Sequence, residues 1–133
     1  MTLDPLAGHV IVLAGVDSAA GAALLECGAL LALVTTDRAA IDELEHVAAE
    51  QPTAVLLAYH AEPGDPSTWM RVAQHIEQRV GPVDAVLCTP AALDATTATF
   101  AEDMRRRGHG AIVPITPGQD PVSLLRTHLK RTR

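Results

Sequence analysis

Aromatic residues are scarce in this sequence, since Tyr59, Trp69 and Phe100 are the only three among 133 positions. Two cysteines, Cys27 and Cys88, are too few for a disulfide framework. We expect both thiols to be buried, because each lies among apolar residues. Hydrophobic residues nevertheless make up 48% of the chain, which excludes an intrinsically disordered protein. The core is therefore predicted to consist of small aliphatic side chains.

Long apolar runs and an excess of basic residues are also lacking. No run is long enough to span a bilayer, and Asp4 and Pro5 interrupt the N-terminus where a signal peptide would begin. The net charge of −6 argues against a general nucleic-acid or membrane binder. The six histidines form neither a His-x-x-x-His nor a His-Glu-x-x-His pattern, so no metal site is predicted. We predict a location in the cytoplasm.

Charge is distributed unevenly along the chain. Residues 1–100 carry a net charge of −10, and residues 101–133 carry +4. A solvated helix end is the favoured interpretation of the basic part, because cations stabilise helix C-termini. A docking surface for an acidic partner or a phosphate is the alternative.

Short apolar runs alternate with helical patterns along the chain. Strands are predicted over 9–14, 30–35, 53–59, 83–88 and 111–115. Helices are predicted over 19–27, 39–51, 67–80, 94–107 and from 121 onward. This alternation predicts one Rossmann-like domain over 1–133, with a three-layer αβα fold and a five-stranded parallel sheet in the order 3-2-1-4-5. The competing order 2-1-3-4-5 would favour acidic residues clustered at strand ends, and only Asp17 and Asp37 come near that.

Two helices carry further local predictions. Ser67 can cap the third helix, whose inward residues are predicted to be Met70, Ala73 and Ile76. Asp120 precedes a proline, which is typical of an N-cap followed by the first helical position.

The turn after the first strand, residues 14–21, resembles the cofactor turn Thr-Gly-x-x-x-Gly-x-Gly of the short-chain dehydrogenase/reductase family. Gly15 and Gly21 match its first and last glycines, whereas Ala14 and Ala19 stand where threonine and the middle glycine are usual. The resemblance implies NAD(P) binding, with the pyrophosphate at the N-terminus of the following helix. The methyl group of Ala19 would crowd that pyrophosphate.

The segment Thr35-Thr36-Asp37-Arg38 resembles the end of the family's second strand. The resemblance implies that Asp37 would favour NAD through the ribose hydroxyls, and that Arg38 would favour the phosphate of NADP. The alternative is that Asp37 merely caps the next helix. Asp17 and Ser18 could cap the first helix or donate to a phosphate, and the cap is the favoured interpretation.

Residues 78–87 resemble the family's approach to strand 4, and residues 104–113 resemble the end of the next helix and the start of strand 5. A stretch that the family has before that helix is missing. The family continues strand 4 with Asn-Asn-Ala-Gly, where this chain has Cys88-Thr89-Pro90-Ala91. The side chains that brace the family's active site are therefore replaced.

After strand 5 the family supplies a catalytic serine and then Tyr-x-x-x-Lys, in which the tyrosine is the general acid and base. This chain continues with Ile115-Thr116-Pro117-Gly118. Its only tyrosine, Tyr59, and its only lysine, Lys130, are too far apart to form that pair. No catalytic residue is predicted, and enzymatic activity is left uncertain, with an inactive relative favoured.

Our leading hypothesis is a non-catalytic member of this family that acts as a structural or regulatory subunit, by self-association or by pairing with a full-length relative. In the family, the helices after strands 4 and 5 form the dimer interface, which implies residues 94–108 and 120–131 here. An apolar seam would then be partly exposed, consisting of Phe100, Met104, Val122, Leu125 and Leu129.

The second hypothesis is an NAD(P)-binding sensor or atypical oxidoreductase, with cofactor bound weakly if at all. Its cofactor-binding residues would be Gly15, Asp17, Ser18, Gly21, Asp37, Arg38 and Thr89. A third hypothesis is unrelated chemistry at Cys88, with His60 or His109 as the base. A buried packing thiol is the favoured interpretation of Cys88.

Overall fold

The computed structural model describes residues 6–116 and 118–131, apart from the side chains of residues 129–131. The strands are β1 Val10–Ala14, β2 Leu30–Thr35, β3 Val55–His60, β4 Ala85–Cys88 and β5 Ala111–Pro114. The helices are α1 Ser18–Glu26, α2 Arg38–Ala49, α3 Pro66–Arg79, α4 Leu93–Arg107 and α5 Pro121–Arg131. A short 3₁₀ turn, Pro90–Ala92, leads into α4. No described helix is long and apolar enough to cross a membrane.

The five strands form one parallel sheet in the order β3-β2-β1-β4-β5, which confirms the predicted topology and excludes the order 2-1-3-4-5. Every residue of β1 and of β4 is buried, so these strands consist of unbroken apolar runs. The fold class is thus the predicted Rossmann-like three-layer arrangement.

Helices cover both faces of the sheet. On one face α1, α2 and α5 pack over β1 through Leu24, Leu44 and Leu125. On the other face α3 and α4 meet through Trp69 and Phe100, whose rings form an edge-to-face pair with centroids 5.6 Å apart. This pair supplies large apolar area in a core otherwise built from aliphatic side chains.

Two predictions about α3 are wrong. Asp65, not Ser67, caps the helix, because its carboxylate accepts the Ser67 N–H at 3.0 Å and Pro66 then takes the first helical position. Met70 is 75% exposed, since the apolar stripe of α3 is formed by Trp69, Val72 and Ile76.

Two strands begin two residues later than predicted. β3 starts at Val55 because Ala54 still closes a turn onto Gln51 at 3.1 Å. β4 starts at Ala85, since the backbone and side chain of Asp84 both bond to Val10 outside the regular ladder.

The predicted exposed seam does not exist in the described residues. Phe100 and Met104, on α4, are buried against one face of the sheet. Leu125, on α5, is buried against the other face. Val122 is partly buried, and the side chain of Leu129 lies outside the described residues. Because α4 and α5 lie on opposite faces, they do not form one continuous surface.

Candidate functional site

A cleft of about 420 Å³ opens at the carboxyl ends of β1 and β4. One wall is the turn from Gly15 into α1, and the other is formed by Ile115, Thr116, Gly118 and Gln119, with Thr89 between the two walls. β1 is paired with β2 on one side and β4 on the other, so the cleft lies where the strand order reverses. Open α/β sheets bind their ligands at this position.

Gly15 is required by the backbone at the floor of this cleft. Its φ of +75° is in the left-handed region, and a Cβ there would lie 3.1 Å from the Thr89 Oγ1. Its N–H donates to the Val34 carbonyl at 2.9 Å, which ties the turn to β2. The structure thus brings the predicted residues Gly15 and Thr89 together.

Gly21 has a packing role in the described structure. It is buried, and a Cβ at this position would come within 2.6 Å of Leu44 Cδ2. The missing side chain lets α1 approach α2 closely. Gly21 does not line the cleft.

Asp17 and Ser18 use their polar groups within the protein. The Asp17 carboxylate accepts the Ala20 N–H at 2.9 Å and caps α1. The Ser18 hydroxyl donates to the Glu43 carboxylate at 2.6 Å. Glu43 was missed from the sequence, because no local pattern relates a residue of α2 to the turn before α1.

Asp37 caps α2, which confirms the interpretation of this residue as a helix cap. Its carboxylate accepts the Ala39 N–H at 3.0 Å and the Ala40 N–H at 3.3 Å. The Arg38 guanidinium donates to His60 Nδ1 at 3.2 Å, and His60 Nε2 donates to the Thr36 carbonyl at 3.1 Å. Arg38 is therefore directed toward β3 and does not line the cleft.

A smaller pocket of about 200 Å³ adjoins the cleft and shares Gly15 and Asp17 with it. Three carboxylates line this pocket, those of Asp17, Asp37 and Glu43. The N-terminus of α1 favours an anion, but the Asp17 carboxylate already occupies that position.

The pyrophosphate of a dinucleotide fits this turn poorly. The Ala20 N–H, the Ser18 hydroxyl and the Gly15 N–H are all bonded inside the protein. A pyrophosphate would also lie beside the carboxylates of Asp17, Asp37 and Glu43, which carry charge of the same sign. The Ala19 side chain also lines the cleft.

The opposite wall of the cleft was not identified from the sequence. The Gln119 side-chain oxygen accepts the Thr116 N–H at 2.8 Å, which ties these two residues together just before α5. Asp120 then caps α5, as predicted, by accepting the Val122 N–H at 3.0 Å and the Ser123 hydroxyl at 2.8 Å. These bonds, led by that of the Ser123 hydroxyl, lower the pKa of Asp120.

The hypothesis of nucleophilic chemistry at Cys88 is wrong. The thiol is fully buried, and burial raises its pKa, which is the opposite of what activates a cysteine nucleophile. Its Sγ lies 3.9 Å from the Val113 carbonyl and is also bonded to the Thr96 side chain. Cys27, by contrast with the prediction, is only partly buried.

His109 lies at the other end of the sheet. Its Nε2 is 2.8 Å from one oxygen of Asp84, and the other oxygen accepts the Val10 N–H at 2.8 Å. Nearby, the Arg107 guanidinium donates to the Val83 carbonyl at 2.5 Å. This cluster joins β1, β4 and the start of β5 at their amino ends, far along the strands from Cys88.

Within the described ranges, no group of three or more His, Cys, Asp or Glu side chains is arranged to hold a metal ion. In the smaller pocket, the side chains of Asp17 and Asp37 cap helices, and those of Ser18 and Glu43 bond to each other.

Comparison with known proteins supports the fold. No model of a known protein family matches the sequence, and no curated protein matches it. A protein from Burkholderia xenovorans assigned to the short-chain dehydrogenase/reductases superposes with a TM-score of 0.71 at 20% identity, over 85% of this chain and 57% of that one. The resemblance seen in the sequence is thus confirmed for the fold.

Two further solved structures were determined with cofactor bound. NAD⁺-bound xylitol dehydrogenase matches with a TM-score of 0.69 at 14% identity, over 94% of this chain and 61% of its own. L-sorbose reductase from Gluconobacter frateurii, complexed with NADPH and L-sorbose, matches with a TM-score of 0.64 at 18% identity, over 84% and 53%. This chain spans between half and two thirds of the length of these structures.

Proposed function

We propose that this chain is a non-catalytic Rossmann domain of the short-chain dehydrogenase type, which acts in the cytoplasm as a structural or regulatory subunit. One observation carries the proposal. The turn that would hold a dinucleotide is bonded internally by Asp17 and Glu43, and the adjoining pocket is lined by carboxylates.

The positions that would carry the family's chemistry support the same conclusion. After β4 the chain enters the 3₁₀ turn Pro90–Ala92, and Thr89 packs over Gly15. After β5 the Thr116 hydroxyl lies 3.2 Å from the Gln119 side-chain oxygen, which engages it locally. Among the described residues of these two segments, no side chain is a general acid at the cleft.

The subunit would act through contacts with a second copy or with a full-length relative. Residues 94–108 and 120–131 remain proposed contact segments, but as two separate surfaces, since α4 and α5 cover opposite faces of the sheet. On α4 the basic residues Arg105 and Arg106 are exposed.

A second candidate function is an NAD-binding sensor. It is favoured by the positive φ of Gly15 and by a cleft at the reversal of strand order. The carboxylates of Asp17, Asp37 and Glu43 would then prefer the ribose hydroxyls of NAD over the additional phosphate of NADP.

Titration of NADH and NADPH by calorimetry and nicotinamide fluorescence separates these functions. We expect no binding at millimolar cofactor, and no gain for Ala19→Gly, since the turn serves a structural purpose. Ala39→Gly is the matched control, because Ala39 is the second residue of α2 as Ala19 is of α1. Micromolar binding, or a clear gain in affinity for Ala19→Gly over Ala39→Gly, would support the sensor and overturn the proposal.

A further inference from the structure

The cleft at the carboxyl ends of β1 and β4 is apolar over most of its wall. Its volume of about 420 Å³ is at the lower end of the range of pockets that hold small organic molecules. Half of its lining residues are aliphatic or proline, namely Val16, Ala19, Ala20, Ala23, Ile115 and Pro121. The cleft therefore suits a small ligand whose body is largely apolar.

The helix α1 provides one apolar side of the cleft. Ala19 and Ala23 are four residues apart on this helix, so their methyl groups lie on the same face, and both residues line the cleft. These methyl groups offer no hydrogen bond to a phosphate. They do provide contact area from which an apolar ligand excludes water.

The charges of the cleft disfavour an ionic ligand. Among the described residues that line it, there is no Lys, Arg or His, and Asp17 carries the one charge. The Asp17 carboxylate accepts the Ala20 N–H at 2.9 Å at the N-terminus of α1, so its charge is already stabilised within the protein. An anion would be repelled by Asp17, and a cation would have to compete with the helix N-terminus for it. An uncharged ligand meets neither cost.

Thr89 provides a hydrogen-bond donor at the floor of the cleft. Its Oγ1 would lie 3.1 Å from a Cβ at Gly15, so the hydroxyl is directly over the turn. Among the described residues, this hydroxyl has no hydrogen-bond partner. The other hydroxyl of the cleft, on Thr116, lies 3.2 Å from the Gln119 side-chain oxygen and donates to it. Thr89 is therefore the hydroxyl that is free to donate to an acceptor oxygen of a ligand.

We propose that the cleft binds a small uncharged molecule with an apolar body and one hydrogen-bond-accepting oxygen, of the kind found in an ester or an ether. The apolar body lies against Ala19 and Ala23, and the oxygen accepts the hydroxyl of Thr89. The molecule is bound and not converted. This inference rests on the proposed function, since it names a ligand for the non-catalytic subunit.

The cleft is also connected to one of the proposed contact segments. One wall belongs to α1, and the lining ends at Pro121, the first residue of α5. A ligand that contacts both walls holds α5 in its position relative to α1. Because residues 120–131 form a proposed contact segment, this ligand would regulate contacts made through α5.

Methyl 2-naphthoate is a suitable probe, because it has an apolar body and an ester as its only polar group. 2-Naphthoate carries a carboxylate in place of the ester, and 2-(aminomethyl)naphthalene carries an ammonium group. Each compound is titrated into the protein at neutral pH and followed by calorimetry and naphthalene fluorescence. We expect the ester to bind about tenfold more tightly than either ion, or better, because moving a charge into an apolar cleft is costly.

Two substitutions locate the ligand. Ala23→Leu should weaken binding of the ester by about tenfold or more, since the larger side chain fills part of the cleft. Ala101→Leu is the matched control, because it makes the same change in a separate apolar groove between α4 and β5, and it should leave binding of the ester unchanged.

Thr89→Val tests the hydrogen bond, since it removes the hydroxyl and keeps the shape of the side chain. It should weaken binding of the ester several-fold and leave binding of 2-ethylnaphthalene, which has no oxygen, unchanged. Circular dichroism and thermal melting without ligand confirm that each variant is folded.

Failure of the ester to bind would overturn the inference, and so would equal or tighter binding of either ion. Binding that is lost with Ala101→Leu and kept with Ala23→Leu would place the ester in the groove beside α4, and would also overturn it. The cofactor titration has a separate outcome. A protein that binds both the ester and NADH would contradict the proposed function and leave the inference standing, whereas one that binds neither would do the reverse.

Discussion

The two ends of the sheet use their polar residues differently. At the amino end, Asp84 and Arg107 form bonds between residues far apart in the sequence, linking β1, β4 and β5. At the carboxyl end, Asp17, Asp37 and Asp120 mostly bond to N–H groups two or three residues away. The amino end therefore holds strands together, while the carboxyl end mainly begins helices.

This difference indicates at which end of the sheet the stability of the protein depends on polar side chains. In open α/β sheets the carboxyl end is the ligand-binding side, so its polar groups are normally available to a ligand. Here they are engaged in caps whose removal should cost little. The bonds at the amino end are partly buried, and leaving a partner there unsatisfied is expensive.

Ala replacement of Asp84 should give the largest loss of stability. It leaves the Val10 N–H and the His109 ring without their acceptor, and bonds to a carboxylate of this kind contribute about 1.5–3 kcal/mol each. We expect the free energy of unfolding in urea to fall by about 3 kcal/mol.

Asp42→Ala is the control for Asp84→Ala, since Asp42 is an exposed residue of α2 and its loss should change stability by less than about 0.5 kcal/mol. Equal effects of the two substitutions would contradict the distinction between the two ends of the sheet.

Gly15→Ala should give an intermediate effect, from the carboxyl end. The positive φ costs an L-residue about 1–2 kcal/mol, and the new methyl group would press on Thr89 at 3.1 Å. Gly108→Ala is the matched control, because Gly108 also has a positive φ, of 67°, but nothing lies within 4 Å of its would-be Cβ.

The difference between the two glycine variants measures the contacts of the new methyl group, which would lie 3.1 Å from Thr89 Oγ1 and 3.3 Å from Pro63 Cγ. Urea denaturation of both proteins, and of Gly15→Ala combined with Thr89→Ala, should show that the double variant recovers part of this difference. No recovery would mean that backbone strain and the contact with Pro63 account for the whole effect at Gly15.

The order of the strands could be predicted from the sequence. Few topologies are compatible with the buried apolar runs of β1 and β4 and with a helix between successive strands. It was also sufficient for the caps at Asp37 and Asp120, since a cap depends on residues within one turn. Met70 was misassigned because its neighbour Trp69 shifts the apolar stripe of α3 by one residue.

Features that depend on distant residues were not predictable. The bond from Ser18 to Glu43 and the contact of Gly21 with Leu44 both depend on how α1 packs against α2. The prediction of an exposed seam that included Phe100 and Leu125 was wrong. Apolar spacing shows that a helix has a buried face, but it does not show which side of the sheet the helix covers.

Asp120 gives the smallest expected effect, and it depends on pH. The Ser123 hydroxyl and the Val122 N–H hold the pKa of Asp120 below its ordinary value in the folded protein. A carboxylate whose pKa is lowered on folding stabilises the protein above its unfolded pKa and loses that contribution as the pH falls through its folded pKa. The stability advantage of the wild type over Asp120→Asn should therefore be present near neutral pH and shrink on acidification.

Urea denaturation of both proteins between about pH 6 and about pH 3 measures this advantage. Ser123→Ala, which removes the strongest of the bonds to Asp120, should reduce the advantage at neutral pH and make it less dependent on pH. An advantage that grows toward low pH would contradict the assigned role of the Asp120 carboxylate. Because Asp120 is exposed and its bonds are local, the effect should remain well below that of Asp84→Ala, as the comparison of the two ends of the sheet requires.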